Sequence, residues 1–179
     1  MKQRVWSLIL ALAMVLSLFP SPVWAEDGGT TTAVEYLDAE GDTQTASCVE
    51  LTAGTTTWDQ AWYVVKGSVT IDALVTVQED TPVKLILCDG ATLTLTKGLQ
   101  LWGYTTSATP FAQLTIYGQN GASGKLEISN SSGEYAIFSK DTPNAHIRLL
   151  GGTLEATGSE AALNGVSGWN GQDSVRSEE

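Results

Sequence analysis

The sequence predicts an all-β protein, built as a short right-handed parallel β-helix, or solenoid, with an N-terminal β cap. Three observations predict it. After residue 57 the chain consists of short β-branched and apolar runs separated by glycine, aspartate or proline. Beyond Ala25, no stretch combines helical spacing of apolar residues with helix start and stop signals. A unit of strand, corner, strand, corner, strand recurs along the chain.

Residues 1–25 are expected to be a secretory signal peptide. Lys2 and Arg4 give a basic start, and the apolar run Val5–Phe19 follows. Cleavage is expected after Ala25, which ends a small-residue recognition site. A membrane anchor is the alternative, but the run is shorter than the roughly 20 apolar residues that cross a bilayer. The sequence therefore predicts a secreted protein, outside the cell or at its surface.

The rest of the chain divides into three predicted segments. Residues 26–57 are a polar lead-in and N-terminal cap strands, which flank a turn at Ala39–Asp42. Residues 58–168 form the β-helix, and residues 169–179 form a disordered tail.

Three segments of the β-helix carry the repeat. They begin at Lys84, Gln113 and His146, so their starts are spaced at similar but unequal intervals. Each has an apolar strand, a glycine-containing corner and an alternating strand, while the corners differ in length. Such variation is typical of a solenoid, because each strand pairs with its counterpart in the next unit rather than across the corner.

The dipeptide Asp89-Gly90 separates two of these strands and admits two interpretations. Asp-Gly is a strong signal for a tight hairpin turn, which would pair the two flanking strands and give an antiparallel β-sandwich. The recurrence of glycine corners at the same place in the other units favours a solenoid corner instead. Runs such as "LILC" before Asp89 also lack clean alternation, as parallel strands often do.

Several of these segments together resemble a known group of proteins. The stretches "TTTWDQAWYVVKGSVTIDALVTV", "VKLILCDGATLTLTKGLQLW" and "LTIYGQNGASGKLEI" are similar to the repeat region of exported surface proteins of Gram-positive anaerobic bacteria. The resemblance covers Thr55 to Gly158 and implies a right-handed β-helix of the adhesin-like kind, loosely labelled carbohydrate-binding. It carries over no catalytic or binding residue. Proteins of that kind continue through further glycine-rich coils, so a truncated fragment of a larger surface protein is also considered.

Charge narrows the classes of partner. The signal segment holds two basic and no acidic residues, so its removal changes the formal net charge from −11 to −13. A polyanion repels nucleic acid, and after signal cleavage the same charge disfavours anionic membranes. Glycans, other surface proteins and a second copy paired along an open strand edge remain as expected partners. No cofactor is expected.

Two cysteines, Cys48 and Cys88, follow the predicted signal peptide. Export permits a disulfide bond between them. A bridge over about 40 residues would contribute roughly 4 kcal/mol in the loop-entropy model. Two strand cysteines that never meet are the alternative. A metal site would need further ligands, and no histidine is close to either cysteine in sequence.

Acidic side chains are candidates for polysaccharide chemistry, because many β-helices cleave polysaccharides with paired carboxylates. The sequence predicts that these residues are scattered. Asp89 is interpreted as a turn residue and Glu127 as the solvent face of a strand. His146 is expected at a strand surface, and Asn130, in a glycosylation-like "NSS", at a corner. The candidates are Asp72, Asp80, Asp89, Glu127, Glu134, Asp141 and Glu155.

Aromatic residues give the best functional indication. Trp102 and Tyr104 open the longest corner, where a solenoid displays binding loops, and aromatic rings stack on sugars. Packing in the core or corner is the alternative for both, and is the commoner role. Trp58 and Trp62 are expected to cover the end of the core, and Tyr117 to lie on the outer face.

We therefore expect a secreted, non-catalytic, adhesin-like β-helix module with glycan contact through Trp102 and Tyr104. The alternative is a β-helix carbohydrate-active enzyme, either a lyase or a hydrolase. Carboxylates grouped on one sheet face would favour the enzyme, whereas a face of hydroxyl and aromatic residues would favour the module.

Overall fold

The computed structural model describes residues 31–78, 82–102, 112–131, 133, 135–140, 145–170 and 176–177. The predicted signal peptide lies outside these ranges. Within them the chain is all β, with no helix and so none that could cross a membrane. The strands are β1 (Thr31–Leu37), β2 (Thr43–Glu50), β3 (Thr57–Trp58), β4 (Trp62–Val65), β5 (Ser68–Ile71), β6 (Val75–Val77), β7 (Val83–Leu87), β8 (Thr92–Leu95), β9 (Leu99–Trp102), β10 (Gln113–Gly118), β11 (Lys125–Asn130), β12 (Tyr135–Lys140), β13 (Ala145–Leu149), β14 (Thr153–Gly158), β15 (Ala161–Asn164), β16 (Val166–Asn170) and β17 (Arg176–Ser177).

These strands form three sheets. The first sheet has the order β1-β2-β4-β7-β10-β13-β16, the second β17-β14-β11-β8-β5, and the third β15-β12-β9-β6-β3. From β4 onward the chain contributes one strand to the first sheet, one to the second and one to the third, then returns to the first. Each such set of three strands is called a unit below. Units pair in parallel, strand by strand.

The corner at Asp89-Gly90 does not make a hairpin. Strand β7, before it, pairs in parallel with β4 and β10, whereas β8, after it, pairs in parallel with β5 and β11. The dipeptide therefore joins two sheets, and the antiparallel alternative is wrong for this part of the chain. Gly90 takes a positive φ of 74°, a conformation that glycine adopts without steric cost.

The repeat is present, but the predicted alignment of its first two units differs from the observed register. Gln113 pairs with His146, as expected, whereas Leu114 pairs with Val83 instead of Leu85. A shift from Leu85 to Val83 leaves every side chain on the same face of a strand. The alternating pattern therefore could not distinguish the two registers.

Apolar side chains from successive units stack in rows between the three sheets. In the second sheet, Leu93, Leu126 and Leu154 are partners in consecutive strands, and all three are buried. In the first sheet, Tyr63, Leu85 and Ile116 form an equivalent buried row. Burial stabilises each such leucine by roughly 1.5–3 kcal/mol, so these rows hold neighbouring units together.

Strands β1 and β2 form the antiparallel hairpin predicted around the turn at Ala39–Asp42. Through Val49 and Glu50, β2 pairs with β4 and so covers one edge of the first sheet, as a cap would. The hairpin also packs on the outer face of that sheet, a contact that the sequence did not predict. The buried residues of this outer cluster are Val34, Ala46, Cys48, Val64 and Ile86.

The C-terminal segment differs from its prediction. Trp169 and Asn170 belong to β16, and Arg176–Ser177 form β17, although a disordered tail was expected from residue 169. Strand β16 pairs in parallel with β13, and β17 with β14. The backbone N–H and C=O groups of these strands therefore form hydrogen bonds within the sheets, whereas those of a free tail would bind water.

Glycines let successive corners approach closely. A Cβ atom added to Gly118 would lie 2.9 Å from the backbone nitrogen of Gly152. One added to Gly124 would lie 2.5 Å from the Cβ atom of Leu87 and 2.8 Å from its carbonyl oxygen. Backbone cannot yield as a flexible side chain can, so these positions require glycine.

We predict that Gly124→Ala lowers the free energy of unfolding by about 1–3 kcal/mol, because the added methyl group overlaps the backbone of the preceding unit. Gly67→Ala is the matched control, since its added Cβ would meet nothing within 4 Å. Urea unfolding of both variants checks this. Equal stability of the two variants would contradict the close contact between corners.

Candidate functional site

Trp102 lies at the end of β9 on the outer face of the third sheet and is half-buried. Its indole Nε1–H donates a hydrogen bond of 3.0 Å to Gln100 Oε1. The Lys140 ammonium nitrogen lies 4.2 Å from the centroid of the indole ring. Gln100 therefore holds the edge of the indole ring, and Lys140 contacts one of its faces. Tyr104 lies outside the described residues, so its partnership with Trp102 stays a prediction.

A row of polar and aromatic residues runs beside Trp102 across the same outer face. Consecutive strands place Thr76, Gln100 and Phe138 in register, and Lys140 in register with Trp102. These positions are neither fully buried nor fully solvated, except that Lys140 is exposed. The arrangement is a shallow surface that offers hydroxyl, amide and ammonium groups next to two aromatic rings.

Two of the carboxylates lie together, although the sequence predicted that they are scattered. Glu127 and Glu155 are register partners on the outer face of the second sheet. The Lys125 ammonium nitrogen bridges them, at 2.7 Å from Glu127 Oε1 and 2.8 Å from Glu155 Oε2. The register between β11 and β14 brings the two glutamates together. Their spacing along the sequence does not reveal this pairing. Asp80, Glu134 and Asp141 lie outside the described residues, and Asp72 accepts a hydrogen bond from the Thr96 hydroxyl.

The charge state of Glu127 follows from these contacts. The hydrogen bond from Lys125 lowers the pKa of the Glu127 carboxyl, and the charge of Lys125 and the hydroxyl of Thr94 act in the same direction. Hydrogen bonds to Glu127 and Glu155 raise the pKa of Lys125. The group is thus a carboxylate held by a cation, whereas a general acid for glycoside cleavage needs a raised pKa.

Asp89 joins two successive corners. Its carboxylate accepts hydrogen bonds from the Gly121 N–H at 2.9 Å and from the Ser123 N–H at 3.2 Å. The Gly90 N–H in turn donates to Ser123 Oγ at 2.9 Å. The two backbone donors lower the pKa of the Asp89 carboxyl. We call Asp89, Gly121 and Ser123 the corner clasp. The prediction of a turn residue is confirmed, and its role across units is new.

His146 lies at a strand surface, as expected, whereas Asn130, expected at a corner, is the last residue of β11. His146 is exposed on β13. Asn130 is 8% exposed, and its Nδ2 donates to the carbonyl oxygen of Tyr135 at 2.9 Å, so this amide braces a corner.

Both cysteines are free thiols in the structure. Cys48 is buried in the outer cluster beneath the hairpin, and Cys88 is half-buried against the same cluster. Burial, with a further contribution from Cys88, raises the pKa of the Cys48 thiol to about 11. Burial also raises the pKa of the Cys88 thiol. The disulfide bond between them stays a prediction.

Three aromatic rings meet where the hairpin covers the first sheet. The Tyr36 centroid lies 4.9 Å from that of Trp62 and 4.7 Å from that of Tyr117. Tyr117 is on the outer face, as predicted. Trp62 was expected at the end of the core with Trp58, but it joins this outer group while Trp58 fills the core. Lys84 lies 4.7 Å from the Trp62 ring centroid.

An open cleft of about 300 Å³ adjoins this aromatic group. It lies between the hairpin and the two clasped corners. Sequence reasoning did not find it, because its walls come from distant segments, such as those of Glu35 and Gln119, that only the folded hairpin brings together. The lining residues are Glu35, Tyr36, Leu37, Thr43, Asp89, Gln119 and Asn120.

Comparison with known proteins gave no further identification. No family model, curated protein or solved structure matches the chain. Among the described residues, no group of three or more His, Cys, Asp or Glu side chains is placed to hold a metal ion.

We predict that Asp89→Asn lowers stability at pH 7 and weakens the acid dependence of stability. The folded pKa of Asp89 lies below its ordinary value of 3.8, so the carboxylate stabilises the fold above that pH. This contribution is lost as the pH falls through the folded pKa. Urea unfolding at pH 7 and at pH 3 checks this, with the exposed Glu160→Gln as control. An undiminished difference between wild type and Asp89→Asn at pH 3 would contradict the role of the charge.

We predict that Cys48 reacts with iodoacetamide at pH 8 at least about 100-fold more slowly in the folded protein than after unfolding in urea. A thiol with a pKa of about 11 instead of 9.0 holds about 100-fold less of the reactive thiolate at that pH. Reduced Cys88→Ser, which retains Cys48 alone, is compared with Cys48→Ala, which retains the half-buried Cys88 and reacts faster. Similar rates for the two folded variants would show that the hairpin does not shield Cys48.

Proposed function

We propose that this chain is an exported, non-catalytic, adhesin-like module that contacts glycans through the outer face of the third sheet. We also propose that its units wind as a short right-handed parallel β-helix. The repeated order of first, second and third sheet supports the winding, since each unit then stacks on the one before it. The formal net charge, −11 for the whole chain and −13 without the predicted signal peptide, supports a role away from nucleic acid.

The environment of Trp102 is the observation that carries the glycan proposal. An indole ring binds a sugar by covering the apolar face of the ring, while nearby polar groups bind the hydroxyls. Gln100 and Thr76 supply such groups within the same row, and Phe138 adds a second aromatic surface. Gln100 also fixes the indole edge, so little side-chain freedom is lost on binding.

Lys140 modulates this surface. Its ammonium lies over the indole, where a sugar ring would stack. Lys140 is exposed at the end of β12, so its side chain has room to swing aside and donate to sugar hydroxyls. In the unbound protein the cation–π contact competes with sugar stacking on that face.

Catalysis is the alternative, and Glu127 with Glu155 is the pair that would carry it. Both carboxylates are within hydrogen-bond distance of one lysine, so their separation is short enough for the retaining geometry of roughly 5 Å. The lowered pKa of Glu127 and the pairing with Lys125 oppose proton donation to a leaving group. The pair instead fits a surface ion cluster that links β11 and β14.

We predict that protein recovered after secretion binds glycans on an array and that Trp102→Ala with Tyr104→Ala weakens this binding, because it removes the aromatic surface of the third sheet. Lys140→Ala should retain or strengthen binding of neutral glycans, because it frees one face of the indole. Circular dichroism first establishes that each variant is folded.

Glu127→Gln is the matched control on the second sheet and should bind glycans as wild type does. The glycans that wild type binds are then incubated separately with wild type and with Glu127→Gln. Mass spectrometry shows whether either protein cleaves them. Absence of saturable binding by folded wild type would overturn the glycan proposal. Cleavage that is lost in Glu127→Gln would favour the enzyme instead.

A further inference from the structure

The cleft between the hairpin and the corner clasp is a candidate for a second binding site. Its volume of about 300 Å³ is at the lower end of the range for small-molecule sites. It lies against the outer face of the first sheet, whereas Trp102 belongs to the third sheet. The two surfaces therefore use different residues.

Gln119 holds the cleft in shape. Its Nε2 donates to the Glu35 carbonyl oxygen of the hairpin at 2.9 Å, and its Oε1 accepts from the Asp89 N–H at 3.0 Å. One side chain thus ties β1 to two successive corners. Asp89 in turn binds Gly121, which fixes the second corner. A site held in this way loses little conformational freedom when a ligand enters.

Tyr36 supplies an aromatic wall. It lines the cleft, and its ring is braced by Trp62 and Tyr117. Tyr36 is only half-buried, so part of its surface remains open to a ligand. A braced tyrosine presents an apolar surface and a hydroxyl together, which suits the mixed character of a sugar ring.

Two polar residues of the lining complete the site. Glu35 and Asn120 are exposed, and within the described part of the chain their side chains have no hydrogen-bond partner. The Asn120 amide both donates and accepts, as a sugar hydroxyl does. The Glu35 carboxylate accepts strongly from hydroxyl groups.

The charge of the cleft selects among sugars. Asp89 lines it as a carboxylate, since its pKa is lowered by the backbone donors of the clasp, and Glu35 adds a second acidic group. A uronic acid or another anionic sugar would meet two carboxylates inside an acidic protein. A neutral sugar brings no negative charge against these carboxylates, and its hydroxyls can donate to them.

We propose that this cleft binds a neutral saccharide unit, with Tyr36 against the ring and with Glu35 and Asn120 on its hydroxyls. The inference extends the proposed glycan-binding function, on which it rests in part, to a second surface. Its selectivity against anionic sugars is a property that the face around Trp102 does not imply.

The test uses the secreted protein labelled with ¹⁵N and titrated with tetramers of glucose, mannose, galactose and N-acetylglucosamine, and with a galacturonate tetramer. The side-chain amide of Asn120 reports on the cleft, and the indole N–H of Trp102 reports on the third sheet. We expect a neutral tetramer to shift the Asn120 signal saturably and galacturonate to leave it unchanged.

Three variants separate the two surfaces, with cleft binding followed in each through the backbone amide of residue 120. Asn120→Ala should weaken binding at the cleft about tenfold, through the loss of hydrogen bonds. Trp102→Ala should leave that affinity within about twofold, because it lies on another sheet. Glu35→Gln keeps the side-chain size, removes one negative charge and should allow galacturonate to bind.

Each outcome is decisive. Shifts at Trp102 but not at Asn120 would overturn the cleft and leave the proposed function standing. Shifts at Asn120 but not at Trp102 would support the cleft and move the glycan site away from the third sheet. Absence of shifts at both residues with all four neutral tetramers would overturn both proposals. Equal binding of galacturonate to wild type would overturn the selectivity for neutral sugars.

Discussion

The register between parallel strands one unit apart is the constraint on which the rest of this structure depends. Each backbone ladder sets residues such as Leu93, Leu126 and Leu154 directly beside one another. Since side chains alternate between faces, a ladder that aligns one buried position aligns every second position after it. Apolar contact between units and hydrogen bonding within each sheet are therefore satisfied by the same register, and neither can be changed alone.

The register that builds the core also organises the surface. It places Gln100 between Thr76 and Phe138 on the third sheet, and Glu127 beside Glu155 on the second. The outer face of the first sheet is partly covered by the hairpin, which adds a small apolar cluster outside the main core. The outer faces consequently differ in chemistry: one is aromatic and amide-rich, one holds an ion cluster, and one is partly closed with a cleft at its margin.

Strand content and the nature of the corners could be predicted from local sequence. Asp89 illustrates the limit of this reasoning, because its turn role follows from the adjacent Gly90 but its bonds to the next corner depend on register. The ambiguity between Val83 and Leu85 as the partner of Leu114 survived because both registers preserve the alternation of faces. The pairing of Glu127 with Glu155 and the cleft at Tyr36 arise from contacts between distant segments, and no local pattern encodes those.

The corner clasp has a consequence for how this protein can change over evolution. Corners of a repeat protein are usually free to lengthen or shorten independently, because each touches mainly solvent. Here the carboxylate of one corner is satisfied by backbone N–H groups of the next, and Gly121 leaves no room for a side chain beside it. The sequences of the two corners should therefore coevolve. Substitutions that replace Asp89 would be accepted chiefly in lineages where the loop around Gly121 and Ser123 is also rebuilt.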